Sequence, residues 1–176
     1  KSGGYDVYMV DRFWLDEYVA KDVLVPLDTY LNDAEQTPEW YDFEDILSAY
    51  RDGLAKIGEA YYGVPVVGET RLVGYRTDLF EKYGKEPPKT TDELLELAQF
   101  FNEKEDGLYG IAMRAQKGIM CASGWMSLVY NFSDGFVDQQ TGEPLMDDPR
   151  NVEALQYFVD LLKNAPPDIS TYTHEE

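Results

Sequence analysis

The side chains best suited to chemistry in this sequence are charged or aromatic residues that interrupt or follow short apolar runs. Glu69 interrupts an extended apolar stretch, Glu59–Phe80, which reads EAYYGVPVVGETRLVGYRTDLF. A carboxylate in the middle of such a run is costly if it is buried without a partner. We therefore predict that the backbone crosses an open cleft here and that Glu69 meets solvent or a polar ligand. The competing interpretation is a solvated carboxylate at the end of a strand.

A second group of polar and aromatic residues follows the first predicted strand. Tyr5–Val10 (YDVYMV) is a short apolar run after Gly-Gly and is typical of a buried strand. Asp11, Arg12 and Trp14 come directly after it, and ligands of open α/β sheets bind beyond the carboxyl ends of strands. The alternatives are that Asp11 caps the next helix and that Trp14 belongs to the core.

The same placement recurs in the second half of the chain. Tyr109–Met113 (YGIAM) predicts another short buried strand, and Arg114 and Gln116 follow it. For Arg114, a structural ion pair is the alternative to a ligand contact. Arg71 falls on the same side as Glu69 if that segment is extended, so it could bind ligand or simply neutralise Glu69.

Helical and extended patterns alternate around these residues and predict an α/β fold. A boundary between Gly63 and Gly74 separates a partial N-terminal lobe, 1–66, from a partial C-terminal lobe, 67–176, joined by a crossing segment, 61–75. The first piece offers one convincing strand, too few for a self-sufficient sheet, which indicates a fragment. Apolar spacing and capping residues predict helices over Leu15–Lys21, Tyr41–Ile57, Asp78–Gly84, a segment capped by Thr90 or Thr91, Gly124–Phe132 and Val152–Leu162.

Composition excludes several classes of function. The 34 acidic and 15 basic residues give a net charge of −19, which disfavours binding to nucleic acid or to anionic lipid. Cys121 is the only cysteine and His174 the only histidine, so neither a disulfide nor a two-histidine metal site can form within the chain. No phosphate-binding glycine motif and no Ser-His-Asp arrangement is present. We therefore predict no cofactor, no metal site and no enzymatic activity.

The ends of the chain and its hydropathy bear on localisation. No apolar run approaches the 18 or so residues of a membrane-spanning helix, so we expect no direct membrane insertion. The sequence opens at Lys1-Ser2-Gly3-Gly4 with no initiator Met, which fits a processed or truncated product.

Several motifs in a fixed order resemble one family. They are Tyr61–Val66 (YYGVPV), Leu72–Phe80 (LVGYRTDLF), Pro87–Leu94 (PPKTTDEL) and the opening Tyr5-Asp6-Val7. The sequence is similar to the extracellular solute-binding proteins of bacterial ABC importers, specifically the carbohydrate-binding group that includes maltose-binding protein. Thr91 stands where the family commonly has Trp. The resemblance covers essentially the whole chain and implies a periplasmic-binding-protein-like (type II) fold with two lobes, present as an incomplete fragment.

The resemblance also implies roles for individual residues. Asp11 and Arg12 match an Asp-Arg pair that contacts sugar, and Glu69 matches a sugar-contacting Glu. Relatives place an Arg and a Gln, here Arg114 and Gln116, facing the cleft. Trp125 matches a Trp near the binding site, with core packing as its alternative. In Tyr172–Glu176, His174 stands where Trp is common, so a stacking role there does not carry over.

The function implied is the substrate-binding component of an ABC transporter, which captures a carbohydrate or polyol between two lobes and closes around it. Its partners would be the ligand and the membrane permease subunits. Its location would be periplasmic or extracellular, with a lipid anchor in a Gram-positive source. A ligand-sensing receptor of the same fold and a carboxylate-based glycosidase are the alternatives. A neighbouring permease gene would favour import and a sensor kinase gene would favour sensing, while turnover of aryl glycosides would indicate the glycosidase.

Overall fold

A computed structural model describes residues 4–173 of the chain. The chain divides into two compact units, Lys1–Thr70 (unit 1) and Arg71–Glu176 (unit 2). Among the described residues the only sheet is a two-stranded one in unit 1, and the remaining regular structure is helical.

Unit 1 is built from short helices and one tight hairpin. The hairpin pairs β1 and β2 in antiparallel register, with Lys56 opposite Tyr61 and Ile57 opposite Ala60. Gly58 lies in the turn between them with φ of 61°, a conformation that favours glycine. The elements of unit 1 are α1 (Arg12–Ala20), α2 (Asp28–Leu31), a 3-10 helix (Phe43–Asp45), α3 (Ser48–Ala55), β1 (Lys56–Ile57) and β2 (Ala60–Tyr61).

Polar and aromatic contacts hold the hairpin to its surroundings. The hydroxyl of Tyr61 donates to Asp52 at 2.7 Å, and the Asp28 carboxylate accepts from the backbone N–H of Tyr61 at 3.0 Å. Arg51 forms ion pairs with both Asp52 and Glu44. The hydroxyl of Tyr61, together with Arg51, lowers the pKa of Asp52, because both hydrogen-bond to the carboxylate and favour its charged form.

The predicted strand Tyr5–Val10 is wrong for this structure. The segment has no strand assignment, and Tyr5, Val7 and Met9 are each at least 80% exposed. A lone extended segment is not stable as a strand, since its backbone groups need a neighbouring strand to pair with. No other strand lies beside this segment within residues 4–70.

The crossing segment, 61–75, is strand-like only at its first residue. β2 ends at Tyr61, and residues 62–76 have no regular secondary structure. Val66, Leu72 and Val73 are exposed, so this apolar run is not buried in either unit. The predicted helix Tyr41–Ile57 is likewise divided, into the 3-10 helix, α3 and β1.

Unit 2 contains the helices that the sequence predicts most directly. Thr90 is the N-cap of its second helix, and its hydroxyl oxygen accepts from the backbone N–H of Glu93 at 3.2 Å. Gly84 ends the first helix in the left-handed conformation. The predicted cap at Thr90 is confirmed, and the helix predicted over Asp78–Gly84 ends at its glycine. The helices are α4 (Thr77–Tyr83), α5 (Thr91–Phe101), α6 (Ile119–Val129), α7 (Pro149–Leu162) and a terminal 3-10 helix (Ile169–Thr171).

The core of unit 2 forms where α5, α6 and α7 pack together. Leu161, Val129 and Ala154 are fully buried, and Tyr157 packs with Ala98 and Leu161. The Tyr157 hydroxyl donates to the Thr91 carbonyl at 2.6 Å, and burial raises the pKa of Tyr157 to about 12. Helix α7 therefore buries an apolar face, and the one hydroxyl described on it, that of Tyr157, has a hydrogen-bond acceptor.

The predicted strand Tyr109–Met113 is also wrong, although the segment is anchored. The backbone N–H groups of Gly110 and Ile111 donate to the Asn164 carbonyl at 2.8 and 3.2 Å. Gly110 touches α5, since a Cβ built there would lie 1.8 Å from the Ala98 carbonyl oxygen. The segment has no partner strand among the described residues, so a helix end satisfies its donors instead of a ladder.

Candidate functional site

Asp11 and Arg12 lie at the amino terminus of α1. Asp11 occupies the N-cap position, but its side chain makes no capping hydrogen bond and is exposed. The Arg12 guanidinium donates from Nε to the Gly53 carbonyl at 3.0 Å and pairs with Asp16 at 2.5 Å. Arg12 thus ties α1 to α3, while the Asp11 carboxylate has no partner within residues 4–173. The alternative that Asp11 caps the next helix is confirmed for its position at the N-cap, but its side chain makes no capping hydrogen bond.

Trp14 lies in the first turn of α1, three residues after Asp11. Its side chain is 47% exposed and packs at a tilt against the exposed ring of Phe13, with ring centroids 5.2 Å apart. The core interpretation of Trp14 is therefore wrong in this structure. An exposed indole next to an unpaired carboxylate provides a flat apolar face beside a hydrogen-bond acceptor.

Glu69 and Arg71 stand on either side of the boundary between the units. Both are exposed, in a stretch without regular structure. The Glu69 carboxylate has no hydrogen bond within the described part of unit 1, while its backbone carbonyl accepts from the Tyr50 hydroxyl at 3.5 Å. The proposed ligand roles of these two residues stay predictions.

Arg114 lies on a loop that packs against α6. Its guanidinium donates to the Ser123 hydroxyl at 3.4 Å, and it forms no ion pair with the described carboxylates. The backbone carbonyl of Arg114 comes so close to α6 that a Cβ at Gly124 would lie 2.7 Å from it. A glycine inside the helix is what permits this approach. The ion-pair alternative for Arg114 is wrong within residues 4–173.

Gln116 and Trp125 flank this loop. The backbone N–H of Gln116 donates to the Tyr172 carbonyl at 3.0 Å, and the residue is exposed. Trp125 follows Gly124 on α6 and packs edge-on against Phe136, with centroids 5.1 Å apart. Its ring is half-buried, and the indole N–H is buried without a hydrogen-bond partner in the described structure. Packing therefore occupies one face of Trp125.

In unit 2 the Arg114 loop packs against α6, the helix that carries Trp125. In unit 1 the amino-terminal end of α1 carries Asp11, Arg12 and Trp14. Sequence reasoning missed Ser123 and Gly124, which hold the Arg114 loop against α6. The signal available was Gly124 itself, because a glycine inside a helical pattern often marks a close backbone approach. His174 lies outside the described residues.

Other site types find little support in the described residues. No group of three or more His, Cys, Asp and Glu side chains within residues 4–173 could hold a metal ion. Helices long and apolar enough to cross a membrane are absent from the same residues. Two shallow depressions lie beside α4 and α5, lined in part by Lys85, Glu86 and Pro87, and none of the predicted ligand contacts lines them.

Solved structures and curated relatives are similar to the chain over nearly its full length. A solute-binding protein of an ABC transporter from Agrobacterium vitis S4, solved with bound D-mannitol, is 32% identical; the match covers 99% of this chain and 41% of that one, with a TM-score of 0.75. A second solute-binding protein, from Agrobacterium radiobacter K84 in complex with ribitol, is 27% identical. The match covers 97% of this chain and 42% of that one, with a TM-score of 0.80. The mannitol-binding protein of Pseudomonas aeruginosa is 27% identical over 180 residues, 97% of this chain and 38% of that protein.

These matches confirm the predicted fold class, the type II periplasmic-binding-protein fold, and the predicted resemblance. The chain spans less than half of the length of these relatives. The family model described as bacterial extracellular solute-binding protein matches residues 1–176. The chain therefore belongs to the family of bacterial extracellular solute-binding proteins.

Proposed function

We propose that this chain is part of the substrate-binding component of an ABC importer and that it binds a polyol or a carbohydrate. The observation that carries the proposal is the pair of solved relatives that hold ribitol and D-mannitol, which match 97% and 99% of the chain. Membership in a family of solute-binding proteins supports binding without catalysis.

The chemistry of a polyol fits the side chains that the two units expose. Each hydroxyl of a polyol both donates and accepts, so the ligand needs charged acceptors and charged donors, whose hydrogen bonds are the stronger ones. In unit 1 the Asp11 carboxylate is exposed and unpaired among the described residues. In unit 2 the Arg114 guanidinium has one long hydrogen bond, to Ser123, and its other donors have no described partner.

The carbon skeleton of the same ligand needs apolar surface. Trp14 exposes about half of its side chain beside Asp11, and Trp125 lies on the helix that the Arg114 loop touches. Indole rings offer flat faces on which C–H groups pack. Each unit therefore pairs one charged group with one indole, and we assign ligand contacts to Asp11, Arg12, Trp14, Glu69, Arg71, Arg114, Gln116 and Trp125.

The family also bears on location and partners. Its members are extracellular, which supports a site of action outside the cytoplasmic membrane. We propose a periplasmic location, or a lipid-anchored extracellular one in a Gram-positive source. The membrane permease subunits of an importer would then be the protein partners.

Titration calorimetry of the 176-residue chain with D-mannitol and with ribitol tests the proposal. We expect a heat of binding with at least one of them, and about a tenfold loss of affinity in Asp11→Asn, because a hydrogen bond to a charged acceptor becomes one to a neutral amide. Asp147→Asn, an exposed carboxylate in unit 2, is the matched control and should leave the affinity unchanged.

Two outcomes would count against the proposal in different ways. Absence of binding to either polyol, checked by ligand-observed NMR for weak affinity, would reject the polyol class. Binding that is equal in the parent chain and in Asp11→Asn would retain the function and remove Asp11 from the site.

A further inference from the structure

We infer that Tyr50 and Gly68 form a contact that positions Glu69, so that both act on ligand binding through that carboxylate. The inference rests on the proposed function only for the consequence at the ligand. The contact itself lies within unit 1 and can be tested without any ligand.

The ring of Tyr50 lies directly against the backbone at Gly68. A Cβ built on Gly68 would stand 2.6 Å from Cε1 of Tyr50, 2.7 Å from Cζ and 2.8 Å from Cδ1. Those distances are far shorter than van der Waals contact between carbon atoms, so no side chain fits at position 68 while the ring stays in place. The hydroxyl of the same ring reaches the carbonyl of Glu69 at 3.5 Å.

This contact is what ties the end of unit 1 to the rest of the unit. The last backbone hydrogen bond before it joins the Tyr62 N–H to the Ala55 carbonyl at 2.8 Å. Beyond that bond, no backbone hydrogen bond links residues 63–70 to another described segment of unit 1. Residues 66–70 are also exposed, so burial does not fix their course. Without the ring of Tyr50, the direction of the Glu69 side chain would be weakly defined.

Tyr50 is well placed to act as a support. It sits in the first turn of α3, and its backbone N–H donates to the Leu47 carbonyl at 2.9 Å. The neighbouring Arg51 is held by two ion pairs, and Ala55 at the end of the helix is buried. A binding group is held more accurately when its supporting residue lies on a fixed helix.

The ring of Tyr50 and its hydroxyl contribute differently to this contact. At 3.5 Å the hydroxyl bond is at the outer limit of hydrogen-bond length and contributes little. The ring faces Gly68 at full contact. Tyr50→Phe should therefore behave like the parent chain, whereas Tyr50→Ala should release residues 68–69.

The ligand-free test follows the backbone amide of Glu69 by 15N NMR and hydrogen exchange. Gly68→Ala and Tyr50→Ala should each move the Glu69 amide resonance and speed its exchange, while Tyr50→Phe should not. In the Tyr50→Ala background, Gly68→Ala should add little, because the space that its methyl group needs is then open. Tyr30→Ala, an exposed tyrosine on α2, is the control, and the amide of Tyr61 in the hairpin reports whether unit 1 stays folded. An unmoved Glu69 amide in folded Tyr50→Ala would overturn the inference.

The ligand test is a double-mutant cycle measured by calorimetry with D-mannitol and ribitol. We expect Tyr50→Ala to weaken binding about tenfold when Glu69 is present, since a hydrogen bond to a charged group is lost. In the Glu69→Gln background the same change should have almost no effect. An equal loss in both backgrounds would show that Tyr50 does not act through Glu69. If the parent chain binds neither polyol, the polyol part of the proposed function fails, and the amide test still decides the contact.

Discussion

The two units differ in what holds them together. Within the described residues, the buried apolar side chains of unit 1 are Leu15 and Ala55, whereas unit 2 buries nine apolar residues, among them Phe101, Val129 and Leu161. Unit 2 also buries Asn151 completely and satisfies its side chain by hydrogen bonds. Unit 1 depends instead on surface ion pairs and ring contacts around Arg51 and Tyr61.

This difference in burial predicts a difference in response to mutation. Close packing makes a protein sensitive to each added or removed atom, and exposed ion pairs contribute little free energy. The same kind of substitution should therefore be severe in unit 2 and mild, or even favourable, in unit 1. Four sets of variants test that contrast.

The largest effect is expected for Gly110→Ala in unit 2. A Cβ at this position would lie 1.8 Å from the carbonyl oxygen of Ala98 and 2.6 Å from its carbonyl carbon. Both atoms belong to the backbone of α5, so the clash can be relieved only by moving the helix or the loop. We expect a loss of about 3 kcal/mol in unfolding free energy, the upper end of the usual cost of overpacking, measured by urea denaturation. Gly74→Ala, with nothing within 4 Å of the built Cβ, is the control.

Asn151→Ala in unit 2 should have the next largest effect. The Asn151 side-chain amide donates to the carbonyls of Gly135 at 2.9 Å and Leu145 at 2.6 Å, and its oxygen accepts from the Ser133 hydroxyl. Removing it takes the described donor from the Gly135 carbonyl and leaves the Leu145 carbonyl with only the backbone N–H of Asp148, so we expect a loss of about 2–3 kcal/mol by denaturation. Asn131→Ala, at an exposed site, should stay within about 0.5 kcal/mol of the parent chain. Equal losses in both variants would contradict the role of burial.

Gly53→Ala in unit 1 should have the opposite sign. Gly53 lies inside α3 at a negative φ, and a Cβ built there meets nothing within 4 Å. Alanine costs less conformational entropy than glycine in a helix, so we expect a gain of about 0.5–1 kcal/mol for unit 1. Hydrogen exchange of the Ala60 and Tyr61 amides would measure it. Faster exchange in this variant would mean that unit 1 is packed as tightly as unit 2.

The same contrast explains which elements the sequence predicted. Helices α4, α5 and α7 follow from apolar spacing and from caps such as Thr90 and Gly84, which act within a few residues of the helix. The strands predicted at Tyr5–Val10 and Tyr109–Met113 did not form, since a strand depends on a partner that the local pattern does not contain. Apolar spacing and capping residues were therefore sufficient to predict these helices, but they were not sufficient to predict strands.

The candidate site shows the same limit. Position after an apolar run was enough to select Asp11, Arg12 and Arg114, and their exposure or incomplete hydrogen bonding is compatible with ligand contact. The residues that support them escaped prediction, because Tyr50 meets Gly68 from 18 positions away and Ser123 meets Arg114 from nine. Such contacts join separate segments and leave little trace in composition or periodicity. A glycine in an otherwise regular pattern was the one available clue.

The smallest effect expected is the pH dependence of Asp78 in unit 2. Hydrogen bonds from Arg76, at 2.8 Å from Nε and 2.5 Å from a terminal nitrogen, lower the pKa of Asp78 from 3.8 to about 2. A lowered folded-state pKa means that this stabilisation is complete above the unfolded pKa and is lost as the pH falls from about 4 to about 2.

Asp78→Asn should therefore lose less unfolding free energy than the parent chain over that acid range, measured by denaturation at several pH values. Both side chains are largely exposed, so the difference should be small and should shrink in about 1 M salt. Asp52→Asn is the matched variant in unit 1, where the Tyr61 hydroxyl and Arg51 lower the pKa of the carboxyl. The Asp52 side chain is about half exposed, so Asp52→Asn should also change the stability of unit 1 only slightly, because exposed ion pairs contribute little free energy. A clear loss of protection of the hairpin amides in Asp52→Asn at neutral pH would contradict the mild response expected for unit 1.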